Sequence, residues 1–212
     1  MKVLNLYACL GGNRLKWTDC EITAVELDPE LARLYQERFP NDTVIVADAH
    51  QYLLDHYKEF DFIWSSPPCP SHSRARFWNT KAHRIYPDLK LYEEILFLDT
   101  HFSGKYVVEN VIPYYTPLIP AKKRGRHLYW TNFNLPSDLG ERRFTIGTSD
   151  KGTELDGLSK FHEYDFKKYK GSQFINKIGR NLVDYKSGEV IFNTARGIFS
   201  QDKGISNQST LF

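Results

Sequence analysis

Short apolar runs alternate with amphipathic stretches along residues 1–133, and most runs are closed by glycine or a polar residue. Residues 3–8 read as a first strand, followed by the turn Leu10-Gly11-Gly12. Residues 22–25 form a second strand closed by Glu26, and residues 43–47 a third stopping at Asp48. Between them Asp28-Pro29-Glu30 has the capping side chain and early proline of a helix start, and Leu31, Leu34, Tyr35 and Phe39 recur near helical spacing. A helix is expected over 50–57, a strand over 60–65, a helix around 89–99, and strands over 105–108 and 127–133. Near-continuous apolar strands separated by helices imply the α/β class, a doubly wound sheet covered on both faces. From residue 134 to about 173 the pattern dissolves into Pro, Ser, Asp, Gly and Lys. Regularity returns over 175–199, where Val190, Ile191, Phe192, Ile198 and Phe199 suggest an apolar helix face. The polar residues 200–212 read as a mobile tail.

Composition narrows this picture. A chain of 212 residues with 41% apolar content suits one domain with a small appendage. No run approaches the roughly 18 apolar residues of a membrane helix, and the N-terminus lacks a signal-peptide pattern. Three cysteines (Cys9, Cys20, Cys69) at no metal-like spacing argue against a disulfide framework or a metal site, and fit a reducing cytoplasm. The net charge is only +2, yet the cations cluster. Arg74, Arg76, Lys81, His83 and Arg84 make one group and Lys122, Lys123, Arg124 and Arg126 a second; Lys167, Lys168 and Lys170 lie among Phe166 and Tyr169. Such clusters suit a phosphate backbone, with ordinary solvated surface charge the competing explanation.

The chemistry gathers at the strand ends, where ligands of doubly wound sheets collect. Gly11-Gly12, Glu26, Asp48, Cys69 and Glu109 follow successive strands. Cys69 stands in the proline-stiffened loop Ser66-Pro67-Pro68-Cys69-Pro70-Ser71-His72, and Glu109 opens Glu109-Asn110-Val111. A thiol and a carboxylate on one rim suit covalent attack on an electron-poor ring; a buried structural thiol and a salt-bridged strand end are the alternatives. His72 is too near along the loop to count as a catalytic partner of Cys69. The glycine turn allows close backbone approach and opens a helix N-terminus, Glu26 could accept from ribose hydroxyls, and Asp48 from an adenine amine. Neither G-x-G-x-x-G nor a Walker lysine is present, which disfavours NAD and ATP and leaves an adenosine compound such as S-adenosylmethionine. Ordinary helix caps are the alternative reading of Glu26 and Asp48.

These residues resemble the cytosine-C5 DNA methyltransferases, of the short kind found in phages and prophages. Asn5-Leu6-Tyr7-Ala8-Cys9-Leu10-Gly11-Gly12 is similar to the family's opening Asp-Leu-Phe-Ala-Gly-x-Gly-Gly. Pro67-Pro68-Cys69 resembles the nucleophile loop, Glu109-Asn110-Val111 the Glu-Asn-Val motif, and Lys122-x-Arg124-x-Arg126 the Gln-x-Arg-x-Arg motif. Arg180-Asn181-Leu182-Val183 followed by Gly188 resembles the last motif, where the chain returns to the cofactor pocket. The departures are Cys9 for glycine, Leu27 for an aromatic and Lys122 for glutamine.

The resemblance implies a Rossmann-like S-adenosylmethionine-dependent methyltransferase fold. Its catalytic, cofactor-binding domain would span 1–133, with a reduced target-recognition region over 134–174 and a returning segment over 175–199. It implies Cys69, Glu109, Arg126 and, less directly, Arg124 as catalytic groups. Tyr7, Ala8, Leu10, Gly11, Gly12, Glu26, Leu27, Asp48, Ala49, Pro67, Asn181 and Val183 would bind S-adenosylmethionine and its product S-adenosylhomocysteine. Ser71, Ser73, Arg74 and Arg76 would meet double-stranded DNA, and residues 136–173 would read sequence, with Phe161, His162, Tyr164, Phe166 and Tyr169 among the contacts. The implied reaction flips a cytosine out, adds Cys69 to C6 and methylates C5 without a metal, in the cytoplasm of a bacterium or a phage-infected host. The same chemistry on RNA, and a catalytically silent binding module, remain as alternatives; no feature decides the oligomeric state.

Overall fold

The computed structural model describes residues 1–74, 85–140 and 154–198, so Arg76, Lys81, His83, Arg84 and the expected tail fall outside the described residues. Seven strands form one sheet in the order β3-β2-β1-β4-β5-β7-β6. They are β1 (Lys2–Leu6), β2 (Glu21–Glu26), β3 (Thr43–Val46), β4 (Phe62–Ser65), β5 (Lys105–Val111), β6 (Lys122–Arg124) and β7 (His127–Thr131). The first five are parallel, while β7 runs antiparallel between β5 and β6. The helices are α1 (Pro29–Arg38), α2 (Ala49–His56), α3 (Lys90–His101), α4 (Glu154–His162), α5 (Ile175–Asn181) and α6 (Tyr185–Ala195).

Strand alternation divides the core into two layers. Leu4, Leu6, Ile63, Val108 and Trp130 pack under Leu53 of α2 and Leu91, Ile95 and Leu98 of α3. Val3, Ile22, Phe62, Trp64, Val107 and Tyr129 face the other way, against Trp17 and the Ile191 and Phe192 side chains of α6. The sheet is therefore doubly wound, as the sequence pattern implied. After β3 the chain returns to the far side of β1 to make β4, and a crevice opens at that switch point beyond the strand ends.

Local chemistry sets the element ends. Asp28 caps α1, its Oδ1 accepting from the backbone N–H of Glu30 and Leu31 at 2.9 and 3.3 Å, with Pro29 in the first turn. β1 stops at Leu6 instead of Ala8, because Tyr7 and Cys9 turn into the left-handed region at φ 56° and 48°. Cys9 thus stands at a backbone position that glycine would occupy without strain. No helix opens after Gly11-Gly12; residues 12–16 form successive turns, pinned where Arg14 binds Asp42 at 2.7 Å and Trp17 Nε1 donates to the Gly188 carbonyl at 2.9 Å. β5 runs three residues past the expected end at Val108, since β7 continues to pair with it from Val107 to Val111.

The C-terminal third departs most from expectation. α4 and a 3-10 turn at Phe166–Lys168 interrupt the irregular stretch, and α5 and α6 are separate helices with a break at residues 182–184. Leu158, Phe166, Tyr169, Ile178 and Leu182 form a satellite core against Leu10, Leu31 and Leu34. His162, Phe166 and Tyr169, expected as sequence-reading contacts, are only 3%, 0% and 3% exposed. Their aromatic surface is more favourably spent in this core than on a solvated face. Phe161 and Tyr164 are half-buried beside them. Two glycines dock this flank on the β1 turn: a Cβ on Gly12 would lie 2.4 Å from the Val183 carbonyl oxygen, and one on Gly188 would lie 2.1 Å from that of Asn13.

Candidate active site

A cleft of about 860 Å³ lies over the carboxyl ends of β1, β2, β4 and β5. Cys69 and Glu109 both line it. The Pro67-Pro68-Cys69 loop leaves β4 and is held onto β5 by Asn110, whose buried Nδ2 donates to the Pro67 carbonyl at 2.9 Å. The Asn110 Oδ1 accepts from the N–H of Val111 at 2.9 Å, so both ends of the amide are occupied. Beyond Cys69 its carbonyl accepts from the N–H groups of His72 and Ser73, each at 3.0 Å, which closes a tight turn. Ser73 bridges to Pro113 and the Arg74 Nε donates to the Pro113 carbonyl at 2.8 Å, fastening the far side of the loop.

The thiol sits in a demanding environment. Burial raises the Cys69 pKa, and the negative charge of Glu109 raises it further; Lys177 on α5 pulls the other way. The positive charge expected to keep the thiol ionised is thus weaker, in the resting protein, than burial and carboxylate together. Glu109 is 6% exposed, and its Oε1 lies 3.6 Å from the Nε2 of His127. His72 is tied to a tyrosine network through one ring nitrogen. Leu118 N–H donates to Tyr92 Oη, which donates to Tyr115 Oη, and that oxygen lies 2.6 Å from His72 Nδ1.

The part of the cleft beside β1, β2 and β3 is lined by fixed polar groups and one bare apolar side chain. Glu26 accepts from the backbone N–H of Cys9 at 2.8 Å and of Asp28 at 2.9 Å, so the carboxylate is fixed in place with further lone pairs to offer. Burial raises its pKa against those two hydrogen bonds. Asp48 both lines the cleft and caps α2 by accepting from Gln51 N–H at 2.9 Å. Leu27, 66% exposed, presents bare apolar surface to the same space, which a flat ring would cover. Tyr7 is held by Glu94 of α3, to which its hydroxyl donates at 2.5 Å. Glu94, fully buried, also accepts from Ser65 Oγ at 2.5 Å and meets His50 Nδ1 at 3.1 Å. Burial, with the Glu94 charge beside it, pushes the Tyr7 hydroxyl far above the usual tyrosine range, and the hydrogen bond to Glu94 raises His50 against the opposing effect of burial.

Of the residues proposed from sequence, Tyr7, Ala8, Gly12, Glu26, Leu27, Asp48, Ala49, Pro67, Cys69, Glu109, Asn181 and Val183 all reach this cleft. Leu10 and Gly11 do not line it. Leu10 is fully buried in the satellite core, and Gly11 (φ 66°) packs its Cα face on Tyr35 and Phe39. Arg124 and Arg126 are also absent from its walls. Arg124 donates to the carbonyls of Pro136, Leu135 and Lys123, and Arg126 is exposed on the turn between β6 and β7. Lys122 is likewise engaged, with Nζ on Thr131 and Phe133 oxygens. Ser71 accepts from Asp88 N–H at 3.1 Å outside the cleft, beside Ser73 and Arg74. In the third basic run Lys168 pairs with Glu37 at 3.0 Å.

Glu94, His127 and Lys177 were not anticipated. Glu94 carried a readable signal: an acid within the apolar stripe Leu91, Ile95, Leu98 of a helix. His127 had none, since its nearness to Glu109 depends on the β5–β7 register. Among the described residues no cluster of His, Cys, Asp and Glu could hold a metal, and no helix is long and apolar enough to cross a membrane.

Fold and cleft together define a Rossmann-like α/β domain with a cysteine in the wall of its cleft. The family model for C-5 cytosine-specific DNA methylases matches residues 1–111, more than half of the 212-residue chain, and the chain belongs to that family. No curated protein matches it. Among solved structures, a mutant of Spodoptera frugiperda DNMT2 is 28% identical over 52% of this chain and 35% of its own, with a TM-score of 0.38. A putative DNA modification methyltransferase encoded within an Escherichia coli prophage is 19% identical over 55% and 33%, with a TM-score of 0.39. A Thermus thermophilus hypothetical protein is 21% identical over 61% and 73%, at 0.42. The chain thus spans about a third of the length of the insect and prophage proteins.

Proposed function

We propose that this chain methylates C5 of a flipped-out cytosine in double-stranded DNA through a covalent adduct on Cys69. The observation that carries this reading is that Cys69 and Glu109 line one cleft, with the Cys69 loop clamped onto β5 by Asn110. Glu26, Asp48, Tyr7 and Leu27 fit an adenosine: a fixed ribose acceptor, an amine acceptor, and two surfaces for the ring. S-Adenosylmethionine bound there supplies an electrophilic methyl group. Asn181 and Val183, brought in by the Gly12 contact, would close the methionine end.

The chain's own groups do the remaining work. Cys69 as thiolate forms the S–C6 bond, and the C5=C6 electron pair shifts toward C5 and N3. Glu109 holds N3 and the exocyclic amine, where charge develops. Once C5 is methylated, loss of its proton and β-elimination break the S–C6 bond and return the thiol. Extruding the base costs a few kcal/mol, which contacts from Ser71, Ser73, Arg74 and Arg76 to the backbone would offset. With α4 and the 3-10 turn committed to the core, sequence reading would fall to the chain stretches 71–88 and 140–153, most of which lie outside the described residues.

The test is transfer of a labelled methyl group to DNA or to RNA, repeated with Cys69→Ala. Label in DNA that disappears in the variant supports the reading. Label in RNA alone replaces the substrate, and no label in either overturns the enzyme.

A further inference from the structure

Glu109 and His127 are diagonal neighbours on one face of the antiparallel β5–β7 pair: Glu109 lies opposite Tyr129, and His127 opposite Val111. The 3.6 Å approach of His127 Nε2 to Glu109 Oε1 joins two side chains that both line the cleft with Cys69. Neither neighbouring arginine serves this carboxyl, since Arg124 is bound to three carbonyls and Arg126 sits exposed on its turn.

A carboxylate alone can only accept, yet the N3 atom of cytosine is itself an acceptor. Holding N3 and the exocyclic amine together therefore requires the carboxylic acid form. We propose that His127 supplies that proton. As the bound base draws the pair from 3.6 Å to hydrogen-bond distance, imidazolium Nε2–H passes its proton to Glu109 Oε1, and the resulting acid donates to N3 while its second oxygen accepts from the amine. As the thiolate's electron pair makes the S–C6 bond, the C5=C6 pair becomes C4=C5 and the C4=N3 pair takes the proton on N3. On elimination the N3 proton returns to Glu109 and then to His127. The C5 proton leaves to solvent, so the pair consumes none. The relay rests on the covalent reading above.

Charged and titratable groups from several elements face the pair. Cys69 faces it from the β4 loop, and Lys177 reaches Cys69 from α5. Tyr129 has its ring 6.3 Å from the imidazole on β7. Arg124 stands opposite His127 on β6 with its guanidinium engaged elsewhere.

The experiment is a pH profile of methyl-transfer kcat/KM for the wild type, His127→Gln and His127→Arg, with thermal melts as a folding control. The wild type should give a bell: activity rises with pH as Cys69 ionises and falls as His127 loses its proton. His127→Gln should lose about 100-fold and its alkaline limb. His127→Arg, which keeps the charge but holds its proton, should not restore the rate. In parallel, the pH at which the His127 imidazole titrates by NMR should fall in Glu109→Gln. Transfer with an unchanged profile in His127→Gln, full rescue by arginine, or an imidazole indifferent to Glu109 would each overturn the relay and leave the covalent reading standing. A wild type that methylates no cytosine removes both.

Discussion

The rim formed by β1–β5 and the flank formed by α4–α6 both supply walls to the same cleft, but by opposite routes. On the rim, Glu26 ends β2, Glu109 lies near the end of β5, and Asp48 and Cys69 follow β3 and β4, so the sheet holds the backbone whatever side chain stands there. On the flank, Gly171–Gln173, Lys177 and Asn181 reach the cleft only because Leu158, Phe166, Tyr169 and Ile178 are packed on α1 beneath them. The difference predicts separable effects: rim substitutions should remove chemistry and spare stability, whereas flank substitutions should cost stability first.

Cys69→Ala should give the largest effect, a loss of about 10⁴-fold or more in methyl transfer. Because Cys69 is half-buried on a loop clamped through Pro67 and Pro113, its urea midpoint should barely move. Unfolding of the variant would break the separation.

Phe166→Ala should cost about 3–5 kcal/mol in urea unfolding, the usual toll of truncating a fully buried aromatic. If Phe166 instead reads DNA, stability would hold while sequence preference changed.

His162 sharpens the same point through pH. Burial, reinforced by the nearby Arg38 charge, lowers its pKa from 6.5 to about 4. Between those values the unfolded chain binds a proton that the folded chain refuses, so stability is complete above about 6.5 and is lost as the pH falls toward 4. The loss should approach roughly 3 kcal/mol and shrink in His162→Gln, as denaturant titrations at several pH values would record.

Tyr169→Phe should have the smallest effect. It removes the 2.7 Å bond from Tyr169 Oη to Asp28 Oδ2, and should cost about 1 kcal/mol. Gln173 also donates to that oxygen at 2.9 Å, so helix α1 should keep its cap. Calorimetric binding of S-adenosylhomocysteine should weaken modestly, and an unchanged affinity would uncouple flank from cofactor wall.

The same contrast decides what could be read in advance. Strands β1–β4 and the capped start of α1 follow from apolar periodicity and from Asp28-Pro29, and strand tips locate Glu26, Asp48, Cys69 and Glu109. Arg124 shows what motif spacing leaves out: its side chain donates to the Leu135 and Pro136 carbonyls, a pairing that no local pattern announces. His127 became visible only with the β5–β7 register, a long-range pairing. The aromatics of the flank looked like contact residues because a polar background hid the apolar spacing that joins Leu158, Phe166 and Ile178 to α1.

The most direct test of the central claim is mass spectrometry of the protein after incubation with S-adenosylmethionine and duplex DNA carrying 5-fluorocytosine, whose fluorine blocks elimination. The account predicts a stable protein–DNA adduct mapped to the peptide containing Cys69 and absent in Cys69→Ala. Methyl transfer to ordinary cytosine without any such adduct, or an adduct mapped to Cys9 or Cys20, would contradict it.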